Sequence, residues 1–509
     1  MLLILICIHH FLLQQKDRKI KSELRYAMPC PVLLQTKLNL IFASKYRADS
    51  LKTNTLRDLF RSNQTPVYFI DWCLFSGIGM EEWIGNVQFI CATDTFDGRH
   101  PQVVAPDSFI YNHKHSSEEI NNALLANAAI RDHIRSRDSG KALLWMLDQQ
   151  TERLAAEIGL EICLPPVSLR HYWDHKGNTN RMAENAGVPC VPYLLSPLTG
   201  YDHLRQIARH LGERLVLQAP YGNSGSTTFF IDDEAGFERH RSDLTNGQEI
   251  RIMRRIDCRS TGLEACVTRH GTVTTPLVPE LVGLPELTVS KGGWCGNELY
   301  PGAFPKEISR QAREYTLKMG EELRKVGFRG YFQLDFLIDK NDETLYLGEM
   351  NPRLSGITPL INNASFSRNG IPLLLVHLAE WMYPDHALNV NELNECFMDE
   401  SGWEPLSFLH INNVTDEVAH SVPTGIYRRQ PDGQIGYARP AVNPAEIAGP
   451  DEIFWFSSAG KYSDIGKGEE IGALFMPARA TGEDGQLTEA ARSWVGGVKS
   501  CQFSVVSGQ

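Results

Sequence analysis

The 509-residue chain has no CxxC pair, and its eleven cysteines follow no even spacing. That excludes a zinc ribbon and a disulfide-framed secreted domain, and reads as buried or free thiols in a reducing, cytoplasmic setting. No apolar run approaches the ~20 residues needed to cross a bilayer. The nearest, Met1–Leu13, has neither a basic stretch before it nor a small-residue cleavage site after it, so an export signal is not expected. Residues 1–27 are instead expected to be a non-structural N-terminal extension, with Met28 opening the folded part. Positive charge is not in excess either. The net charge of −11 argues against a nucleic-acid or membrane partner. A GxGxxG is missing: Gly77-Ile78-Gly79 is an isolated GxG and no dinucleotide fingerprint. There is no internal repeat and no low-complexity tract.

What remains is an ordinary globular composition, 42% hydrophobic and 22% charged, long enough for about three domains. From about 65 to 165, apolar runs at Val67–Asp71, Gln88–Ala92 and Val103–Ala105 read as buried strands. Leu143–Leu147 follows the helical stretch Glu118–Arg137, and helical spacing resumes over Gln149–Ile158. Strand–helix alternation of this kind predicts a parallel α/β layer. Asn178–Ala186 reads as a helix with Gly187 as its left-handed cap and Pro189 beyond it. Leu215–Pro220 and Phe229–Ile231 read as strands around the small-residue loop Tyr221–Thr228. In Ile308–Val326 the residues Ile308, Ala312, Tyr315, Met319, Leu323 and Val326 form one core-facing helical stripe. Lys291–Glu298 reads as a surface loop. From about 405, short strands at Pro423–Tyr427, Ile453–Phe456 and Ile471–Met476 predict a β-rich end domain.

Most of the chemistry sits in Gly330–Gly356. Phe332, Leu334, Phe336 and Ile338 alternate with Tyr331, Gln333, Asp335 and Leu337, a strand with one apolar face. A three-residue connection at Asn341–Glu343 would pair Lys340 with Thr344, and so Asp335 with Glu349. Cβ atoms so paired lie ~5 Å apart, and two such carboxylates repel unless a cation sits between them. Asn351 and Arg353 project to the same side. Carboxylate and amide oxygens without His or Cys suit Mg²⁺ or Mn²⁺. The loop residues Gly222, Asn223, Ser224, Gly225 and Ser226 carry little bulk, so their N–H groups can close around phosphate oxygens.

Over about 165–385 the sequence resembles the ATP-grasp superfamily, in its biotin-carboxylase-like and carboxylate–amine ligase branch. Lys176 followed by Ala186-Gly187-Val188-Pro189 matches one element of that family. Gly330, Asp335, Glu349, Asn351 and Arg353 match its strand ending in D-F and the E-x-N-P-R run. The resemblance implies a mixed α/β and α+β architecture. Its parts would be a pre-ATP-grasp parallel α/β domain over 28–165, an ATP-grasp nucleotide-binding domain over 166–385 and a β-rich C-terminal domain over 386–509. It further implies an ADP-forming ligase that activates a carboxylate as acyl phosphate and joins it to an amine. ATP and Mg²⁺ (or Mn²⁺) would be its cofactors, and small-molecule carboxylates and amines its partners. Amino-acid or natural-product substrates and a homodimer are compatible with it.

By the same resemblance Lys176 and Arg353 are catalytic, Lys176 on ATP phosphate and Arg353 on the transferring group. Asp335, Glu349 and Asn351 hold the metal. Gly222–Ser226 form the flap, and Arg254 and Ile256 read adenine through the main chain. One departure is Gln218, where the family carries a lysine; Arg254 or Arg255 is expected to supply the lost charge. Two alternative readings are a nucleotide-binding relative with little turnover and a biotin-carboxylase-type enzyme. Against the latter, Leu354-Ser355-Gly356 stands where that group carries Q-V-E-H.

Overall fold

The computed structural model describes residues 53–107, 115–222, 225, 227–385, 388–460 and 464–504. The expected extension, residues 1–27, lies outside the described residues, as do Asn223, Ser224 and Ser226 of the small-residue loop. Among the described residues no helix is long and apolar enough to cross a membrane.

Five short strands, β1 (Val67–Asp71), β2 (Val87–Cys91), β3 (Val103–Val104), β4 (Lys141–Leu144) and β5 (Glu161–Ile162), form the parallel sheet. Its order is β3-β2-β1-β4-β5. β1 is buried at every position, as a strand covered on both faces must be. The direction of winding reverses between β1 and β4, so a crevice opens outside their carboxyl ends.

A second, antiparallel sheet contains β6 (Tyr193–Ser196), β7 (Leu215–Gln218), β8 (Thr228–Ile231) and β9 (Ile250–Arg254), in the order β6-β9-β7-β8. Leu215, Leu217, Ile231, Ile250 and Ile252 fill its core. The preceding helix, Lys176–Ala186, ends at Gly187 with φ 64°, the left-handed stop its sequence predicts.

The third sheet is the largest. It takes β10 (Cys258–Thr268), β11 (Gly271–Thr274), β12 (Val278–Val282), β13 (Trp294–Leu299), β14 (Gly330–Asp339) and β15 (Leu345–Asn351). It continues through β16 (Leu406–Asn412), then β18 (Gly425–Arg429), β19 (Ile435–Arg439), β20 (Glu452–Ser457) and β22 (Glu470–Met476); β17 (Ala419–His420) and β21 (Asp464–Ile465) pair separately. The order is β15-β14-β10-β12-β13-β16-β22-β20-β18-β19, with β11 on β10.

The join between β13 and β16 corrects the expected loop at Lys291–Glu298, because its second half is an interior strand with Cys295 fully buried. The glycines mislead here. Gly296 has φ 133°, and a Cβ on it would stand 2.1 Å from Phe408 O. It serves the close approach of β16, not flexibility. In the helix Lys306–Lys325, Ile308, Ala312, Met319 and Leu323 are buried as expected. Val326 is 47% exposed, because the helix has ended before it.

One buried acid anchors the chain that leaves β15. Glu264, in the middle of β10, accepts from Ser355 Oγ at 3.0 Å and from Thr358 Oγ1. Burial pushes its carboxyl up to about 8 in spite of both bonds. A folded value above the unfolded one means stability that is complete below the unfolded carboxylate range, near 4, and lost as pH rises through about 8. Asp71 and Glu81, both raised to about 7 by burial, act in the same direction. The melting temperature should therefore fall between about pH 5 and pH 9, and Glu264→Gln should fall less steeply than wild type. Parallel curves from differential scanning fluorimetry would refute the assignment.

Candidate functional site

In the β14–β15 ladder Asp335 lies opposite Glu349, and Gln333 opposite Asn351. The route to this pairing differs from the expected one. At the turn Asp339, not Lys340, meets Thr344, its N–H donating to Thr344 O at 3.0 Å, and Glu343 closes the loop at φ 58°. A bulge at Gly348 absorbs the one-residue difference. Its cause is a change of phase in the sequence. Leu345 and Leu347 fill the core before the bulge and Met350 after it, which leaves Glu349 and Asn351 on the site side.

Gln333 Nε2 donates to Asp335 Oδ1 at 2.5 Å, and Asn351 Nδ2 to Asp335 Oδ2 at 3.2 Å. Glu280 of β12 hydrogen-bonds Asp335 and accepts from Ser260 Oγ at 2.5 Å. Two carboxyl groups in contact need a shared proton or a cation. Burial first, then the charges of Glu280 and Glu349, hold Asp335 well above the usual carboxylate range, and burial raises Glu280 as well. Unit charges ~5 Å apart repel by about 3 kcal/mol at an effective dielectric of 20. The donors are all oxygen: Glu280, Asp335, Glu349 and Asn351. Among the described residues no three His, Cys, Asp or Glu side chains are grouped so that they could hold a metal ion by themselves. Crowded carboxylates in an open arrangement fit Mg²⁺ or Mn²⁺, which keep water and phosphate oxygens as further ligands.

Cations flank this group. Lys176 Nζ is 3.1 Å from Glu349 Oε2, with a side chain only 4% exposed. Its backbone N–H donates to Pro220 O at 2.9 Å, which ties the helix start to the small-residue loop. Arg353, also buried, donates from Nη2 to Asn351 Oδ1 at 3.0 Å and from Nη1 to Leu354 O at 3.2 Å.

The charge beside Gln218 comes from an arginine other than the two expected. Arg255 is turned away, 2.9 Å from Asp232, and Arg254 is exposed. Buried Arg251 donates Nε to Gln218 Oε1 at 2.9 Å, Nη2 also reaching that oxygen. Its Nη1 donates to Asn180 Oδ1 and Gly348 O, each at 2.8 Å. The register explains the partner: Gln218 lies opposite Arg251 in the β7–β9 ladder. Arg254 closes β9 with its N–H donating to Pro192 O at 3.0 Å, and Ile256 follows in the link to β10.

A cleft of about 800 Å³ takes in Glu280, Asp335, Glu349, Asn351, Arg353 and Gly225; Lys176, Gln218, Gly222, Arg254 and Ile256 are not in its lining. Gly225 has φ 74°, and a Cβ there would come within 2.9 Å of Gly292 O. Gly225 thus lies close against Gly292, at the start of the segment that becomes β13. Glu280 and Arg251 were not singled out from sequence. Their signal is present, a lone charge inside the apolar runs Val-Pro-Glu-Leu-Val and Ile-Arg-Ile-Met.

No family model matches the chain. It is 26% identical over 207 residues to the butirosin acyl-carrier protein L-glutamate ligase of Niallia circulans, 40% of this chain and 48% of that protein. To the D-alanine–D-alanine ligase of Desulforudis audaxviator (strain MP104C) it is 20% identical over 209 residues, 39% of this chain and 65% of that one. The matches thus span less than two thirds of either relative. Biotin carboxylase of Campylobacter jejuni, solved as a β,γ-ATP complex, superposes with a TM-score of 0.55 at 14% identity, over 82% of this chain and 88% of that one. The chain has the ATP-grasp fold.

The Arg251–Gln218 contact can be tested through stability. Gln218→Lys sets an ammonium against a buried guanidinium and should cost about 3 kcal/mol or more in urea unfolding, whereas Gln218→Glu should cost much less. A lysine variant as stable as wild type would show that Arg251 does not occupy that position.

Proposed function

We propose that this protein is an ADP-forming, ATP- and Mg²⁺-dependent ligase that activates a carboxylate as acyl phosphate and joins it to an amine. The observation that carries the reading is the crowded, half-buried group of Glu280, Asp335 and Glu349 between the buried Lys176 and Arg353. Such a group is costly in a resting fold and becomes favourable once a divalent cation and a polyphosphate complete it. When bound, the metal supplies neutralising charge for the phosphate oxygens and the transferring γ-phosphoryl group.

The chain's own residues do the remaining work. Glu349 and Asp335 hold the cation, and Asn351 assists them. Lys176 exchanges its Glu349 contact for ATP phosphate. Arg353, held by Asn351 and Leu354 O, presents a planar fork to the transferring group and the acyl phosphate. The loop at Gly222–Ser226 covers the phosphates, and the Arg254–Ile256 link meets adenine through its main chain. The division at 165 and 385 into three domains belongs to the same proposal, as do a homodimer and a cytoplasmic setting. The described cysteines form no disulfide with one another, which supports that setting.

Mg²⁺-dependent ADP release should be scanned over carboxylates and amines that include L-glutamate and D-alanine. Glu349→Gln should abolish it with the melting temperature nearly unchanged. Lys176→Ala should mainly weaken ATP binding, and Arg353→Ala should mainly lower kcat. ATP binding without ADP release on any pair would favour a relative without turnover.

A further inference from the structure

The same cleft reaches residues that phosphate chemistry leaves unused. Asp71 ends β1, at the carboxyl edge where the parallel sheet reverses its order, and Trp145 and Met146 follow β4 on the other side of that crevice. All three line the cleft, together with His410 and Asn412 of β16 and Glu470 of β22. Two sheets thus bring acid and aromatic groups to one wall.

The chemistry of this wall is one-sided. Asp71 is 8% exposed, and among the described residues its side chain has a single hydrogen bond, Trp72 N–H donating to Oδ1 at 2.8 Å. Oδ2 is without a partner among the described residues. Glu470 lies 3.0 Å from His410 Nε2, and Ser458 Oγ donates to it as well. With that ring proton on Nε2, His410 Nδ1 is left as an acceptor, and neither it nor Asn412 Oδ1 has a hydrogen-bond partner among the described residues. The ring of Trp294 lies 5.1 Å from that of His410, and Gly356 leaves it room, since a Cβ there would stand 2.7 Å from the indole. Unfilled acceptors, a nearly buried carboxylate and indole rings suit a cation with several N–H donors.

We infer that this wall is the subsite for the amine substrate, an ammonium anchored on Asp71 and carried on an apolar or aromatic body that packs on the tryptophans. The word substrate rests on the ligase reading; the binding chemistry does not. Asp71 supports it, because burial and then the charge of Glu470 raise its carboxyl to about 7 against the Trp72 bond, a tension that a bound cation would relieve. Glu470 itself sits below its ordinary value, since His410 and Ser458 outweigh its burial. Glu470 is thus already held by His410 and Ser458, which leaves Asp71, with one carboxyl oxygen unpartnered among the described residues, as the anchor.

Calorimetric titration of the full chain with three probes of similar shape tests this without turnover: phenethylammonium, 2-phenylethanol and 3-phenylpropanoate. The ammonium should bind at least tenfold more tightly than the alcohol, and the carboxylate should be weakest. Asp71→Asn should remove that selectivity, and Glu470→Gln should reduce it, with Mg·ATP affinity within twofold of wild type. Equal binding of the three probes, preference for the carboxylate, or no ammonium binding at 10 mM would overturn the subsite. Mg·ATP binding measured alongside separates the two readings. If it is absent while the ammonium preference remains, the ligase reading fails and the subsite stands.

Discussion

Mutual repulsion among Glu280, Asp335 and Glu349 is the constraint around which the rest is arranged. Three half-buried acids from β12, β14 and β15 meet at the wall of the cleft, and each neighbour of the group moderates the cost. Gln333 and Asn351 donate to Asp335, Ser260 donates to Glu280, and Lys176 faces Glu349. None of these contacts neutralises the group completely. The fold holds charge in reserve for a partner that is not protein, and a purely structural role would have been served better by apolar residues of similar volume.

The large sheet gives this group a fixed relation to the rest of the cleft. From β15 across to β19 neighbouring strands are hydrogen-bonded without a break, so hairpin and β16 are positioned by one ladder rather than by a linker. The four-stranded sheet and the link that leads into it reach the hairpin by fewer bonds. Leu347 N–H donates to Pro189 O at 2.8 Å, and Arg251 reaches Gly348 O.

Local pattern made much of this legible. Alternation in Gly330–Ile338, the cap at Gly187 and the parallel strands before residue 165 follow from period, propensity and turn chemistry, which the chain expresses within a few residues. What escaped depends on pairing over long separations. Arg251 finds Gln218 across 33 residues because β7 and β9 are partners, a choice no local signal encodes. Glu280 joins Asp335 because β12 and β14 both pair with β10. Lys291–Glu298 reads as a loop because its three glycines suggest freedom, while Gly296 is required by a crossing strand. At the hairpin the pairing of Asp335 with Glu349 was legible, but the turn beside it was not, since two opposite one-residue offsets cancelled.

The bulge at Gly348 has a consequence for what sequence variation can reveal. The group that Arg251 grips there is a backbone carbonyl, which every amino acid carries. The link between the two sheets is therefore encoded on one side only. Random substitution across the hairpin would leave the acceptor in place, and comparison of diverged sequences would find no residue covarying with Arg251 at position 348. The covariation of Arg251 would point only to Gln218 and Asn180, and the hold on the second sheet would stay hidden in the part of the chain that has no alphabet.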